Sequence, residues 1–351
     1  MKKIIVLYIL SIVVVFFMPV FMVKEYDVKE FDINKNEINE NDIIIKLLLS
    51  ETNEVVELSL DEYIMGVLVG EMPVTYELEA LKAQAVVART YTLNKIINSA
   101  GSHVNADMCD DINHCQAYKT KEYALTCWDD EEENEKWNKI KTAVLETKNE
   151  VITYDDKLIN AFFHANSGGK TEDSLNIWGR ENIPYLKSVV GNEEDIFLEK
   201  VTFTYEEFEK IMTENFLEYD KLIQSSQENP SNDSVNKDIK NDENNSEENH
   251  KILIEKNIKI LEKNSSGRVS KVKISNITLD GTEVRSLFGL RSTFFDIDMT
   301  QNNITFNTKG YGHGIGLSQD GANSMAKKGS LYKDIIQHFY SNVEIKNILS
   351  I

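Results

Sequence analysis

Glycine takes every second position from Gly310 to Gly316, alternating with Tyr311, His313 and Ile315. This pattern strips side chains from one face of the segment, so another backbone or a ligand can approach closely. Whatever the chain folds into must bring a partner against that bare face. The segment is not a Walker loop, since no Gly-Lys-Ser/Thr follows, and it is not a dinucleotide fingerprint. A triad of Ser318, His313 and an aspartate lacks a nucleophile elbow. Two further segments have the same character. An apolar strand delivers the polar turn from Phe162 to Glu172, with Gly168 and Gly169 at its centre. Gly66 to Pro73 places Glu71 between Gly70 and Pro73 at the end of an apolar run. All three would have to meet at one cleft.

The elements between them are a mixture, so the expected class is α+β, with helices and antiparallel hairpins forming two lobes around a substrate groove. A strand is expected over residues 43–49. Ser59-x-x-Glu62 is a capping box that opens a helix over Asp61 to Val69. A second helix follows, with Leu78, Leu81, Ala85, Ala88 and Thr92 on one stripe and Arg89 and Tyr91 off it, free to face a cleft. Residues 151–163 read as a hairpin turning at Asp155-Asp156-Lys157, and Thr204-x-x-Glu207 caps another helix. Strands are expected over 252–261 and 269–279, with Asp280-Gly281 as a hairpin turn. Short helices over 283–290, 318–327 and 331–340 finish the chain. Residues 224–250 hold only Val235 and Ile239 as aliphatics among seven asparagines, a composition that cannot bury enough apolar area to fold, and read as a disordered insertion.

Charge excludes one class of partner. With 58 acidic against 38 basic residues the net charge is −20, which repels nucleic acid. A glycan would have to be held by neutral hydrogen bonds and ring stacking. Met1-Lys2-Lys3 precedes an uncharged run from Ile4 to Val23 that lacks a small-residue cleavage site. Residues 1–23 are therefore expected to be an uncleaved single-pass anchor with a cytoplasmic N-terminus, residues 24–50 a stem, and 51–351 the catalytic domain.

A carboxylate just past an apolar helix end is desolvated and faces the helix's partial negative charge. Both effects raise its pKa and suit a general acid, although an ordinary solvated glutamate fits the same residues. The ordered segments Gly70-Glu71-Met72-Pro73, Lys82-Ala83-Gln84-Ala85 through Ala88-Arg89-Thr90-Tyr91, Ser167 through Glu172, and Gly312 through Ala322 resemble those of the stage II sporulation protein D family. Its members are lytic transglycosylases of spore engulfment. The resemblance implies Glu71 as the catalytic acid/base and places Arg89, Tyr91, Ser167, Lys170, His313, Ser318 and Gln319 at positions that line the groove. It also implies peptide-stripped peptidoglycan strands as substrate, the stage II sporulation protein P amidase and other engulfment proteins as partners, and the mother-cell membrane facing the septal wall as location. A lytic transglycosylase can work with one carboxyl group, whereas hydrolases usually need two. Glu172 and Asp173 stand as candidates for a second, which leaves hydrolysis open. A non-catalytic peptidoglycan-binding scaffold and a zinc amidase are the alternatives.

His103, Cys109, His114 and Cys115 lie within thirteen residues and form a tetrahedral zinc set. Four protein ligands leave no open position, so such a zinc is structural. A Cys109–Cys115 disulfide with Cys127 left free is the competing reading.

Overall fold

The computed structural model describes residues 43–98, 103, 105–128, 132–178, 182–217, 219 and 258–351. The apolar run Ile4–Val23, the stem up to residue 42 and the Asn-rich stretch 224–250 lie outside these. Among the described residues the architecture is mixed α+β, with helices and mainly antiparallel sheets. Strand β1 (Ile44–Leu48) runs antiparallel to β2 (Val55–Ser59) and parallel to β3 (Met108–Cys109). It buries Ile45 and Leu47 completely, at the two-residue period of a strand with one face covered.

Helix α1 (Leu60–Glu71) begins at the expected capping box: Ser59 Oγ accepts the Glu62 N–H, and Glu62 Oε2 accepts the Ser59 N–H at 3.0 Å. It stops where the Met72 N–H donates to the Leu68 carbonyl and Pro73 bars another turn. Helix α2 (Leu78–Asn98) departs from the one-stripe expectation. Ala80, Leu81, Ala83, Ala85, Val86, Val87 and Ala88 are all fully buried, so the helix is covered on every side and serves as the central post. Helix α3 (Lys121–Cys127), α4 (Glu133–Leu145) and the hairpin of β4 (Glu150–Tyr154) and β5 (Lys157–Leu158) follow. Asp155 and Asp156 both take positive φ, as a two-residue turn matched to strand twist requires. Both α1 and α4 pack on α2, as does β4.

Strand β6 (Phe163–His164) and helix α5 (Ser174–Trp178) lead to β7 (Leu198–Thr204) and α6 (Tyr205–Asn215), the latter opened by the Thr204/Glu207 capping box. Strands β8 (Ile258–Lys263), β9 (Val269–Ile274) and β10 (Ile277–Asp280) form one antiparallel sheet, and β7 forms another with β11 (Phe295–Met299) and β12 (Asn303–Lys309). Between β10 and β11 lies α7 (Gly281–Leu287). These elements share a core in which Phe288 stacks on Phe208 and Phe306 at 4.9 and 5.0 Å. The hairpin turn here sits at Ser275, with φ +54°, not at Asp280-Gly281. Gly281 is instead the first residue of α7, and a Cβ there would collide with the Val269 carbonyl. Glycine at this point serves a close approach, and Asp280 sits at the helix start, its N–H bonded to Glu283.

Strand β13 (Leu317–Ser318), α8 (Gln319–Lys327), α9 (Tyr332–Phe339) and β14 (Glu344–Asn347) close the chain. Helices α8 and α9 both pack on α2, and β14 pairs with β4. The single-pass membrane placement expected above is corrected: among the described residues no helix is long and apolar enough to cross a membrane. The longest, the 21-residue α2, carries Glu79, Lys82, Arg89 and Lys95.

Candidate functional site

Helix α1 has two glycines, and both exist to admit one segment. A Cβ on Gly66 would strike the Tyr118 ring, and one on Gly70 would meet the Ala117 backbone at 2.9 Å. Residues 115–119 therefore lie directly on the helix, and the Lys119 N–H donates to the Gly66 carbonyl at 3.1 Å. The same approach places the Ala117 N–H on Glu71, donating to Oε1 at 2.6 Å. Burial under this segment pushes the Glu71 carboxyl up to about 7, with the Ala117 hydrogen bond acting in the opposite direction. Glu71 is thus a group that exchanges protons near neutrality.

The segment that covers Glu71 is anchored two residues earlier. The ligand atoms of His103, Cys109, His114 and Cys115 all lie within 4.8 Å of one another. His114 Nδ1 is 3.4 Å from Cys109 Sγ and 3.8 Å from Cys115 Sγ, and His103 Nε2 is 3.5 Å from Cys115 Sγ. Sulfur and nitrogen bound to one tetrahedral zinc stand about 3.5 Å apart, given the usual bond lengths, so the donor set fits that metal. Cys109 and Cys115 are free thiols. Between cluster and Glu71, Gln116 donates to Thr92 Oγ1 at 2.9 Å and ties the segment to α2.

The two glycine-containing loops meet as their sequences suggest. β6 and β13 pair in parallel, Phe163 opposite Leu317 and His164 opposite Ser318. Asn166 and Tyr311 exchange backbone hydrogen bonds at 3.1 and 2.7 Å, and the Glu172 N–H donates to the Gly314 carbonyl at 2.7 Å. All four alternating glycines take positive φ, and a side chain on Gly316 would also collide with the Phe162 carbonyl. The bare face is filled by the other loop. Two histidines clamp Ile315: His164 Nδ1 donates to its carbonyl at 3.1 Å, and its N–H donates to His313 Nδ1 at 3.0 Å. Burial, reinforced by nearby positive charge, holds His164 well below its ordinary pKa. For His313 the same causes, with Arg285 and Arg268 as the charges, lower it to about 4. Both rings are neutral at physiological pH. Aromatic contacts run from Tyr91 to Phe162 at 6.3 Å and on to His313 at 6.1 Å.

Beneath both loops lies a buried ion pair absent from the sequence reading. Arg268 and Glu172 are each 1% exposed, with Nε 3.7 Å from Oε2. Arg268 Nη2 donates to the Ser167 carbonyl at 2.6 Å and to that of Lys170 at 3.3 Å, and its guanidinium fills the space a side chain on Gly314 would need. Glu172 accepts from the Asp173 N–H, Asn176, Asn264 and Ser266. It is a fastening carboxylate, and Asp173 is engaged with Lys187 at 3.6 Å. Glu193, also unread in the sequence, accepts from the Ser167 N–H at 2.7 Å and from Ser318 Oγ at 2.6 Å.

The expected groove residues therefore divide. Tyr91, Lys170 and His313 keep partial exposure. Ser167, Ser318 and Gln319 are buried in the loop junction, and Ser318 also caps α8 by accepting the Gly321 N–H. Arg89 does not face a cleft. It is 1% exposed, and its guanidinium donates to the carbonyls of Val144, Thr147 and Glu150 at 2.8–3.2 Å. There it satisfies acceptors that the end of α4 leaves open.

Residues 49–154 match the stage II sporulation protein family, and residues 172–316 match a domain of unknown function. The chain is 32% identical over 301 residues to stage II sporulation protein D of Bacillus amyloliquefaciens, covering 84% of this chain and 76% of that one. It is 33% identical over 298 residues, with the same coverage, to stage II sporulation protein D of Bacillus subtilis (strain 168). The amidase enhancer of Bacillus subtilis is 29% identical over 78% of this chain and 39% of its own length.

Removing one partner of a buried pair leaves an uncompensated charge, so Glu172→Gln is expected to cost about 3–5 kcal/mol in denaturant unfolding. Glu194→Gln, which breaks an exposed pair with Lys327, should cost less than about 1 kcal/mol. Equal losses would mean that the Glu172–Arg268 pair does not hold the loops.

Proposed function

The chain belongs to the stage II sporulation protein D family, and on that premise we propose that it is a lytic transglycosylase that cleaves peptide-stripped peptidoglycan strands during spore engulfment. The observation that supports this reading most is Glu71, a half-buried carboxyl group poised near neutrality at the end of α1. The two carboxylates that could have served as its partner, Glu172 and Asp173, are engaged elsewhere. One-acid chemistry suits such a site. Protonated Glu71 gives its proton to the glycosidic oxygen as the bond to C1 of the muramoyl sugar breaks. The resulting carboxylate then takes the proton of that sugar's C6 hydroxyl, whose oxygen closes on C1. The 1,6-anhydro ring forms without water, and Glu71 ends protonated as it began. Tyr91, Lys170 and His313 would line the groove that holds the strand. The amidase that strips stem peptides, the stage II sporulation protein P of this family's setting, would act first.

His103, Cys109, His114 and Cys115 would hold a zinc ion. With four protein ligands it would supply structure alone, fixing the segment whose Ala117 N–H meets Glu71, and would offer no place for an amidase's water.

Glu71→Gln is nearly isosteric but cannot donate a proton, so glycan release should fall at least about a hundredfold while the fold and binding persist. The wild-type rate should fall as pH rises through about 7, because the acid must start protonated. Stability follows the same sign. A raised carboxyl pKa favours the folded state while the group is protonated, so wild type loses stability relative to Glu71→Gln as pH climbs to about 7. Near-normal release by the variant would remove Glu71 from the reaction.

Metal analysis should find about one zinc per chain, lost on Cys109→Ser/Cys115→Ser, with chelation raising proteolysis around residues 103–119. Peptide mapping that returned a Cys109–Cys115 disulfide and no zinc would replace the metal with a crosslink.

A further inference from the structure

Four of the chain's arginines are described, and three of them have a carboxylate partner: Arg89 with Asp61 at 3.8 Å, Arg268 with Glu172 at 3.7 Å, and Arg291 with Glu199 at 3.4 Å. Arg285, in the last turn of α7, has none among the described residues. It is half-buried, and its one hydrogen bond among the described residues runs from Nε to the Leu290 carbonyl at 3.3 Å. In a chain of net charge −20, a partly desolvated cation without a counter-charge is costly unless something else supplies the charge.

Its position says where that something would sit. The carbonyl it bonds is that of Leu290, and the next one, that of Arg291, accepts the Gly312 N–H at 2.9 Å, so Arg285 stands beside the glycine-alternating loop, where its charge bears on His313. Arg291 lies over the Tyr311 ring at 4.7 Å and donates to the Tyr311 hydroxyl at 2.9 Å. Arg268 is fully buried, and its Nη1 has no acceptor. Cationic groups thus surround the Tyr311–Gly314 loop, while the nearby carboxylates Glu172, Glu193 and Glu199 are already bonded to Arg268, Ser167 and Ser318, and Arg291.

We propose that Arg285 is the anchor of an anion subsite at the Tyr311–His313 loop, and that its ligand is the lactyl carboxylate of a muramoyl sugar. Resting on the glycan-cleaving reading, this supplies that site with a means of choosing its substrate. In an intact strand the lactyl carbonyl is an amide to the stem peptide and carries no charge. Removal of the peptide leaves a carboxylate that can accept a charge-assisted hydrogen bond from a guanidinium. Arg285 would therefore prefer strands from which the peptide has been cut.

Binding in the uncleaving Glu71→Gln background tests this without turnover. Three ligands serve: peptide-stripped glycan, the same strands with carboxylates converted to methylamides, and a chitin oligomer that has no lactyl group. Adding Arg285→Gln should weaken binding of the stripped glycan about tenfold, while the two neutral ligands shift less than about twofold. Arg285→Lys should recover part of the loss, and the melting temperature should hold in both variants. Equal weakening of all three ligands, or no change in any, would overturn the subsite. The two readings fail separately. Arg285-dependent binding of a glycan that wild type never cuts sinks the transglycosylase and leaves the subsite standing. Arg285-independent binding of a glycan that wild type does cut does the reverse.

Discussion

The buried pair of Glu172 and Arg268 is the constraint on which the site's geometry rests. Two loops that contain glycine at its most exposed conformations have little intrinsic stiffness, since glycine carries the largest backbone entropy. Here they are held from below by one guanidinium that touches Ser167, Lys170 and Gly314, and by one carboxylate with four hydrogen-bond donors. Desolvation makes such a pair a poor source of net stability but a strong source of position, because leaving either partner alone in the interior costs more than keeping both. Glu193 adds a second tie between the same loops from the side of α8. His313 and Tyr311 can then be presented from a backbone with no side chains of its own to crowd them.

A parallel logic governs Glu71. Gly66 and Gly70 open a trough on α1, residues 115–119 fill it, and the resulting burial raises the carboxyl's proton affinity. The histidine–cysteine cluster stands immediately before that segment. The carboxyl's proton affinity and the order of this segment are therefore coupled through a few residues of backbone, because the cluster lies two residues before the Ala117 N–H that meets Glu71. The glycine-alternating loop is joined to the central post α2 by the aromatic contacts of Tyr91, Phe162 and His313.

Local signals in the sequence carried over well. The capping boxes at Ser59 and Thr204, the Asp155–Asp156 turn and the close approach at Gly310–Gly316 each depend on residues within a few positions of one another. What the sequence hid depends on distance. Glu172 and Arg268 are far apart in the chain, and nothing in Asn264-Ser265-Ser266-Gly267-Arg268 announces a buried cation rather than a polar turn. Arg89 misled for a related reason. A charged residue on a helix normally marks the solvent face, but α2 is enclosed on all sides, and the guanidinium finds carbonyls at the end of α4 instead of water. Asp280-Gly281 has the composition of a hairpin turn, and only the proximity of the Val269 carbonyl reveals why glycine is needed there.

In the proposed reaction one carboxyl group cuts the strand and the sugar's own hydroxyl replaces water. Mass spectrometry of the ends released from peptide-stripped glycan addresses it directly. A single-acid site predicts 1,6-anhydro-muramoyl ends as the dominant product. Reducing muramoyl ends would show that water is the nucleophile and that a second group activates it, and they would contradict the mechanism assigned to Glu71.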